Sequence, residues 1–312
     1  MNVTSRQPVL SLGTSSPRVK ALEQKLKKLG HLEGPVDDRF DARTAAAVSR
    51  YKRANDWGNS KPRVGQRMAV ALNLPEQKSH QALKGASYNC RIGRNPEVVA
   101  RTVSHFARSR KLDFIQLQEI SGYHRALENI PGYKLITFPG SKDHGETGVL
   151  VRDTLETKNA RSIEADVGWT NVHGRPAQPR AATSVRIAGW LQVASIHAPP
   201  GIDFKDGRAI GPEQRVKSYQ SLTRKLAAAA ERQQARNPDV AVLYGGDWNE
   251  GARTMGPGSP AWLAAQAGMK KYATGGIDWE MARGARLAQV KHGPRFGSDH
   301  PLVTFTITHD RR

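Results

Sequence analysis

Apolar residues recur at helical spacing in the first 75 positions and predict three short helices. In the first helix the apolar positions are Val19, Leu22, Leu26 and Leu29. Ser16 followed by Pro17 is typical of a helix N-terminus, and Gly30 is placed to end the helix. Asp41 can cap a second helix, and the apolar pattern at 68–72 predicts a third. The pattern therefore predicts a small helical domain over residues 1–74.

Beyond residue 85 the pattern changes to short apolar strands that alternate with helices. The predicted strands are 87–92, 113–118, 133–138, 148–151, 181–187, 191–196, 240–244, 277–281 and 302–307. The predicted helices are 96–110, 212–234 and 260–266. Several strands follow one another with no room for a helix, so we expect an α/β layered fold with mixed sheets. The polar, aperiodic stretch 75–85 is predicted to be a linker to this second domain, residues 86–312.

The composition is that of a globular protein. Hydrophobic residues make up 38% of the 312 positions and charged residues 24%. No apolar run approaches the roughly 20 residues of a membrane-spanning helix, and the first ten residues lack the apolar segment of a signal peptide. Cys90 is the only cysteine, which excludes an intramolecular disulfide and a four-cysteine zinc site.

The chain is strongly basic, and the excess is not confined to one tail. Lys and Arg number 48 against 28 Asp and Glu, which gives a net charge of +20. Residues 1–84 hold 16 basic and 7 acidic side chains, and residues 85–312 hold 32 and 21. Such a charge attracts polyanions, which include nucleic acid, anionic wall polymers and acidic lipid surfaces.

Two of the predicted strands deliver carboxylates to a loop edge. The apolar strand 113–118 ends at Glu119, whose oxygens could bind a hard cation; the alternative is an ordinary solvated glutamate. The strand 240–244 runs through two glycines into Asp247 and Asn249. This pair could serve a metal, an attacking water or a phosphate oxygen, or it could form a simple Asx turn.

Two further strand ends carry histidines. Asp299 and His300 stand just before the last predicted strand, where they could place a metal or water ligand beside a base that titrates near neutrality. His197 ends another strand and is followed by two prolines that stiffen the exit, so it could act as a general acid. For either histidine the alternative is a structural role, exposed in a capped loop or satisfied by the backbone.

These motifs occur in the order found in a known superfamily. The stretch from about 87 to 307 resembles the endonuclease/exonuclease/phosphatase superfamily, which includes deoxyribonuclease I. The matching signatures are Asn89, Gln118-Glu119, His197, Gly246 to Asn249, Ile277-Asp278 and Ser298 to His300. The resemblance implies a four-layered α/β sandwich whose active site lies at the top edge of two packed sheets.

The resemblance also implies a metal centre. It makes Glu119 the principal Mg²⁺ ligand, places Asn89 beside it, and makes Asp299 a second carboxylate on the metal side. Mn²⁺ is the alternative metal. Mg²⁺ prefers oxygen ligands and keeps several waters, so one or two carboxylates suffice to hold it.

The same resemblance implies roles around the phosphate. Asp247 would orient or activate the attacking water, and Asn249 would donate to a phosphate oxygen. His300, paired with Asp278, would be the base or the stabiliser of the transition state.

The resemblance implies roles for three further residues: a general acid, the carboxylate that orients it, and an arginine that binds the substrate phosphate. His197 resembles the acid histidine of the deoxyribonuclease I-like branch, and its orienting carboxylate would fall near Glu146. Arg180 resembles an arginine that contacts substrate phosphate, because its planar fork suits a phosphodiester.

The N-terminal region resembles the peptidoglycan-binding domain type 1 over residues 10–74, on the apolar positions of its helices and on Val36-Asp37, Phe40, Thr44 and Tyr51. Two turn motifs depart from that family. The stretch 37–41 lacks the glycines of Asp-Gly-x-Phe-Gly, and the second Asp-Gly is reduced to 61–65. Binding to peptidoglycan, binding to an anionic wall polymer and a role as a basic docking domain therefore remain alternatives.

Three functions follow for the whole chain. The first is a Mg²⁺-dependent nuclease, with DNA favoured over RNA, tethered through a wall-binding-like module in a bacteriophage-encoded or a secreted bacterial protein. It would stay in the host cytoplasm, or reach the virion or cell wall after lysis. The second is a phosphatase or phospholipase C-like hydrolase acting on another phosphate ester. The third is a non-catalytic structural or virion component that retains the fold.

Overall fold

The computed structural model describes residues 10–57, 61–75, 82–141, 144–170, 176–205, 208–250, 256–273 and 276–310. The chain divides into two compact units. The smaller contains the described residues up to 75 together with 153–159 and 187–189, and the larger contains the rest.

The smaller unit contains three helices, as the sequence predicts. They are α1 (Pro17–Lys28), α2 (Ala42–Ala54) and α3 (Gln66–Ala71). The Ser16 hydroxyl accepts the Val19 N–H at 3.2 Å and the Asp41 carboxylate accepts the Thr44 N–H at 2.9 Å, so both predicted caps are confirmed. The helices pack around a core of Leu10, Val19, Leu22, Leu26, Phe40, Ala47, Val48, Met68 and Leu72.

Two apolar residues of the predicted helices lie outside this core. Leu29 is 51% exposed, because α1 ends one residue earlier and Leu29 is its C-cap. Val70 is 70% exposed, because it faces away from the core on α3 while Met68 and Leu72 are buried.

The remaining elements alternate strands and helices. The helices are α4 (Pro96–Ser109), α5 (His124–Glu128), α6 (Glu213–Arg236) and α7 (Pro260–Gln266). The strands are β1 (Ala82–Asn89), β2 (Phe114–Gln118), β3 (Tyr133–Thr137), β4 (Thr147–Arg152), β5 (Thr157–Glu164), β6 (Trp169–Thr170), β7 (Pro176–Ala177), β8 (Ala181–Ile187), β9 (Leu191–His197), β10 (Asp203–Lys205), β11 (Arg208–Ile210), β12 (Ala241–Asp247), β13 (Lys270–Ala273), β14 (Asp278–Arg283), β15 (Ala285–His292) and β16 (Val303–His309).

Twelve of these strands form two mixed sheets. The first sheet has the order β15-β16-β1-β2-β4-β3, and the second has the order β13-β14-β12-β9-β8-β5. Each sheet has a parallel pair near its centre, β1 with β2 and β12 with β9. Parallel neighbours end at the same edge of a sheet, so each pair presents two strand ends side by side.

The layers follow from which face of each strand is apolar. Helices α4 and α5 bury Val103, Phe106 and Leu127 against the outer face of the first sheet. Helices α6 and α7 bury Leu226 and Leu263 against the outer face of the second sheet. The inner faces of the sheets pack on each other, so the larger unit is a four-layered α/β sandwich, as predicted.

The inner layer also contains polar side chains that bond across the two sheets. The Gln116 amide on β2 donates to the Ala194 carbonyl on β9 at 2.8 Å, and the Gln118 amide donates to the Ser195 hydroxyl at 3.0 Å. Buried polar groups need such partners, so these bonds fix how one sheet sits on the other.

The first strand differs from its predicted bounds. β1 begins at Ala82, inside the predicted linker 75–85, so residues 82–85 belong to the sheet and only 75 and the undescribed 76–81 remain for a linker. It pairs there with β16, whose residues Phe305 to Thr308 face this segment. β1 also ends at Asn89 rather than at 92, because Arg91 has a positive φ of 58°.

Candidate active site

Three neighbouring strands of the second sheet each begin or end with a polar site residue. His197 ends β9, Asp247 ends β12 and Asp278 begins β14. Asp247 is paired with His197 on one side and with Asp278 on the other. Because neighbouring strands lie about 4.8 Å apart, this register puts the three side chains in one row at one edge of the sheet.

The first sheet contributes Asn89 and Glu119 to the same edge. Asn89 ends β1 and Glu119 follows directly after β2. The Asn89 side-chain amide donates to Glu119 Oε1 at 2.9 Å and to Asp247 Oδ2 at 3.1 Å. One buried amide therefore ties together two carboxylates that come from different sheets.

This geometry changes the expected role of Asn89. Its side-chain oxygen accepts the Arg91 backbone N–H at 2.8 Å, while its nitrogen faces Glu119 and Asp247. In this orientation Asn89 positions the two carboxylates and does not present an oxygen to a cation between them.

Glu119 is held in an uncommon backbone conformation. Its φ is +54°, and its Oε2 accepts the Ile92 backbone N–H at 2.7 Å. Burial raises the pKa of Glu119, but its electrostatic interaction with His197 and the hydrogen bonds from Ile92 and Asn89 outweigh this effect. The pKa of this carboxyl therefore lies below its ordinary value, and Glu119 is ionised at neutral pH.

His300 is paired with two acidic residues. Its Nδ1 lies 3.0 Å from Asp278 Oδ2, and its Nε2 lies 3.5 Å from Asp247 Oδ2. Burial disfavours the charged ring, but the bond to Asp278 and the surrounding carboxylates raise the pKa of His300 to about 9. Burial also raises the pKa of Asp278, although its contact with His300 opposes this. His300 is therefore protonated near pH 7.

His197 is in the opposite state. Its ring is buried, and burial together with the nearby Arg180 lowers the pKa of His197 to about 4, against the pull of Asp247 and Glu119. Its Nδ1 lies 3.1 Å from Glu146 Oε1, and Glu146 forms an ion pair with Arg180. The structure thus brings Glu146 to His197, as the resemblance implies, and it leaves the imidazole neutral near pH 7.

Asn249 fixes the loop that follows β12. Its backbone N–H donates to Asp247 Oδ1 at 2.9 Å, and its side-chain amide donates to the Ala198 carbonyl at 2.9 Å. The Asp247 carbonyl in turn accepts the Ala198 N–H at 2.9 Å. These bonds join the exits of β9 and β12 and hold the Asp247 carboxylate in one orientation.

Gly246 lies where a side chain has no room. Its φ is +133°, and a Cβ atom there would lie 2.2 Å from the Ile196 carbonyl oxygen and 2.9 Å from the Gln118 amide nitrogen. A glycine before Asp247 is therefore required for β9 to pair closely with β12 and for Gln118 of the other sheet to approach at the site.

The acidic and histidine side chains form two overlapping groups that could hold a metal ion. Glu119, His197 and Asp247 form one, and Asp247, Asp278 and His300 form the other, with the ligand atoms of each group within 4.8 Å of one another. Glu119 and Asp247 offer carboxylate oxygens from opposite sides, a donor set that fits Mg²⁺ or Mn²⁺. One histidine per group is fewer nitrogen ligands than zinc sites ordinarily have.

Asp299 lies at the rim of the site, outside both groups. It is exposed, and the Ser298 hydroxyl, which also accepts the His300 N–H at 3.0 Å, lies 3.4 Å from its carboxylate. The negative charge of Asp299 raises the pKa values of Glu119 and His300, so Asp299 influences the site electrostatically.

Two supporting features were not predicted from the sequence. The Ile92 N–H that binds Glu119 and the Ser195 hydroxyl that receives Gln118 depend on main-chain geometry and on the second sheet. The only signal near the first is Gly93, whose φ of +86° shapes the turn after β1.

Comparisons with known proteins support the resemblance of the N-terminal region and the fold expected for the rest of the chain. Residues 15–57 match the family model of a putative peptidoglycan binding domain. A search of curated proteins found no match. No helix in the described part of the chain is both long enough and apolar enough to cross a membrane.

Solved structures share the architecture. An endonuclease/exonuclease/phosphatase from Bacteroides vulgatus is 15% identical, with a TM-score of 0.52 over 73% of this chain and 99% of that one. Truncated Caenorhabditis elegans TDP2 is 17% identical, with a TM-score of 0.51 over 73% and 97%. A longer C. elegans TDP2 is 17% identical, with a TM-score of 0.50 over 99% and 98%. The chain therefore contains a deoxyribonuclease I-like fold.

Proposed function

We propose that this protein is a divalent-metal-dependent phosphodiester hydrolase that cuts nucleic acid, with DNA as the preferred substrate. One observation carries the proposal. Ionisable and amide side chains from both sheets meet at one edge of the sandwich, namely Asn89, Glu119, His197, Asp247, Asp278 and His300. Hydrolysis of a phosphodiester needs a neutralised phosphate, a positioned water and a stabilised leaving oxygen, and this set can supply all three.

Glu119 and Asp247 would hold the metal, Mg²⁺ or Mn²⁺. The bound ion supplies positive charge to the nonbridging phosphate oxygens and lowers the pKa of bound water. The chain's own contribution is to hold the two carboxylates close together, which the Asn89 amide does, and to keep Glu119 ionised, to which the Ile92 N–H contributes.

Two residues would act on the reacting phosphate and on the attacking water. His300, protonated through its contact with Asp278, donates a hydrogen bond to an oxygen that gains negative charge. Asp247 is fixed through both carboxylate oxygens, Oδ1 by Asn249 and Oδ2 by Asn89, and it orients the attacking water.

His197, Glu146 and Arg180 complete the site. The resemblance implies that His197 is a general acid. With a pKa of about 4, however, its ring is neutral near pH 7 and would act as a hydrogen-bond partner or as a proton acceptor. Arg180, anchored by Glu146, contributes positive charge for substrate phosphate. The Asn249 side-chain amide donates to the Ala198 carbonyl, so the side chain would have to rotate before it could donate to a phosphate oxygen.

The net charge of +20 favours nucleic acid over the alternative substrates. A phospholipase would need an apolar surface that contacts the membrane, and the segment 202–215 is rich in charged residues. A non-catalytic role gives no reason for a joined set of carboxylates and histidines with opposed protonation states.

Supercoiled plasmid tests the proposal directly. The full chain with Mg²⁺ is expected to convert plasmid to nicked and linear forms, and EDTA is expected to abolish this. Release of phosphate or phosphocholine from other esters, without any cleavage of DNA or RNA, would favour a phosphatase or phospholipase C-like hydrolase. Inactivity on every phosphate ester would favour a non-catalytic structural component.

We further propose that the smaller unit tethers the enzyme to the bacterial cell wall, as expected of a bacteriophage protein that acts at or after lysis. Its fold tolerates the lost turn glycines: Phe40 is buried, the Asp37 N–H donates to Glu23 at 2.7 Å, and Asp37 pairs with Arg43. This support concerns the fold of the module and the match at residues 15–57.

The full chain is expected to pellet with purified cell walls, and a variant lacking residues 1–80 is expected to stay in the supernatant. Cell walls stripped of teichoic-type polymers distinguish peptidoglycan from an anionic wall polymer as the ligand. Binding to peptidoglycan survives this treatment, whereas binding to the charged polymer does not. Equal pelleting of the full chain and the truncated variant would contradict the tether.

A further inference from the structure

The loop between β1 and α4 carries an exposed apolar side chain beside the candidate site. Ile92 is 61% exposed, although its backbone N–H is bonded to Glu119 Oε2 at 2.7 Å. Exposed large apolar residues are few in the described part of the chain, and a functional position is one reason to keep one exposed. The Ile92 backbone thus contacts Glu119, the proposed metal ligand.

One side-chain hydroxyl, that of Tyr123, bonds to the backbone on both sides of Ile92. Tyr123 Oη donates to the Arg91 carbonyl at 2.9 Å and accepts the Arg94 N–H at 2.8 Å, so it spans the turn that contains Ile92. Arg91 and Gly93, on either side of Ile92, both have positive φ, 58° and 86°. The conformation of the turn is therefore determined by its bonds and is not that of a freely moving loop.

A side chain anchors the far end of the same loop. The Arg94 guanidinium donates to the Phe296 carbonyl at 2.8 Å and to the Tyr88 hydroxyl at 3.2 Å. Phe296 is part of the segment that leads to His300. The loop that presents Ile92 is thus connected to both sides of the site, to Glu119 through its backbone and to the His300 segment through Arg94.

The neighbours of Ile92 favour a nucleic acid base over a lipid. Arg91, Gly93 and Asn95 are exposed around it, so one apolar side chain stands among charged, small and polar residues. A membrane-contacting surface needs several adjoining apolar side chains. A single apolar side chain on a fixed backbone beside a phosphate site suits a base face, as in proteins that insert Ile, Leu or Met between base steps.

We infer that Ile92 is a specificity-determining wedge that packs against the base next to the scissile phosphate. This inference rests on the proposed function, since it requires a nucleic acid in the site. The wedge favours substrates whose bases can be unstacked at that step, which single strands, mismatches and flexible pyrimidine–purine steps allow most readily.

The test compares substrates with and without bases. On a single-stranded DNA oligonucleotide, Ile92→Ser is expected to lower kcat/KM roughly tenfold, since contacts with one base are worth about that much or more. On an oligonucleotide whose central nucleosides are replaced by abasic linkers, Ile92→Ser and the native chain are expected to be equally active. Ile92→Leu retains an apolar side chain and is expected to stay within about twofold of the native chain on both.

Val98→Ser is the matched control, because Val98 is another exposed β-branched residue and lies on α4. It is expected to leave both rates unchanged, with thermal melting confirming that each variant is folded. An equal loss on both oligonucleotides, or equal losses in the Ile92 and Val98 variants, would overturn the wedge while leaving the proposed function intact. If the native chain cleaves neither oligonucleotide nor any other nucleic acid, the proposed function itself fails.

Discussion

Replacing His300 with alanine is expected to lower kcat for plasmid cleavage about 10³-fold. The contact with Asp278 keeps His300 protonated, and its Nε2 faces Asp247 at 3.5 Å, where the water and the phosphate would meet. A positioned proton donor contributes about 10² to 10⁴ in rate, and the charge of the ring adds to this. Single-turnover cleavage at saturating Mg²⁺ measures the change in the chemical step.

The control for this variant is His105→Ala, which removes an exposed histidine from α4. It is expected to retain native activity. Retention of more than a tenth of the native kcat by His300→Ala, in a protein that melts at the native temperature, would remove His300 from the reaction.

Replacing Glu119 with glutamine is expected to lower cleavage at least 10²-fold at 1 to 10 mM Mg²⁺ and to raise the Mg²⁺ concentration needed for half-maximal activity. The substitution keeps the size of the side chain but removes the negative charge that a hard cation requires. A loss of about 3 kcal/mol in metal and transition-state binding corresponds to this change in rate. Titration of activity with Mg²⁺ and with Mn²⁺ measures both effects.

Glu97→Gln is the matched control, since Glu97 is an exposed glutamate in the first turn of α4. It is expected to leave the titration unchanged. An unaltered Mg²⁺ titration for Glu119→Gln would mean that the cation is held elsewhere, and the assignment of Glu119 would then be wrong.

Most residues of the candidate site could be proposed from the sequence because their positions follow a simple rule. Glu119 and His197 terminate apolar strands, Asp247 follows one through two glycines, and Asp278 opens one. Polar residues at the ends of buried strands are visible in the hydrophobic pattern, and parallel pairs bring such ends to one edge. The order of the motifs then identified the fold that joins the two edges.

Of the strands that were not predicted, β6, β7, β10 and β11 are very short and form separate two-stranded sheets. The other three have a common physical cause. β5, β13 and β15 were not predicted, and each lies at an outer edge of its sheet. Edge strands keep one side exposed and carry charged residues, so they lack an apolar run; in β15 the buried Ala285 and Leu287 alternate with exposed positions. The central strands are buried along most of their length, and apart from the start of β1 they were predicted to within a few residues.

Local detail of the site could not be read from the sequence. Whether Asn89 offers its oxygen or its nitrogen depends on the Arg91 N–H, and which histidine is protonated depends on burial and on partners from other strands. Glu146 was placed only loosely, because the turn before β4 sets its register toward His197. These properties arise from tertiary contacts, which spacing along the chain does not encode.

The most direct test of the shared metal site is the position of the metal itself. Crystals of the full chain soaked with Mn²⁺ and measured at the manganese absorption edge are expected to show one strong anomalous peak, about 2.1 Å from a Glu119 carboxylate oxygen and beside Asp247. The peak is expected to disappear in Glu119→Gln crystals. A peak at another place in the native protein, or none at millimolar Mn²⁺, would contradict the metal centre on which the proposed chemistry depends.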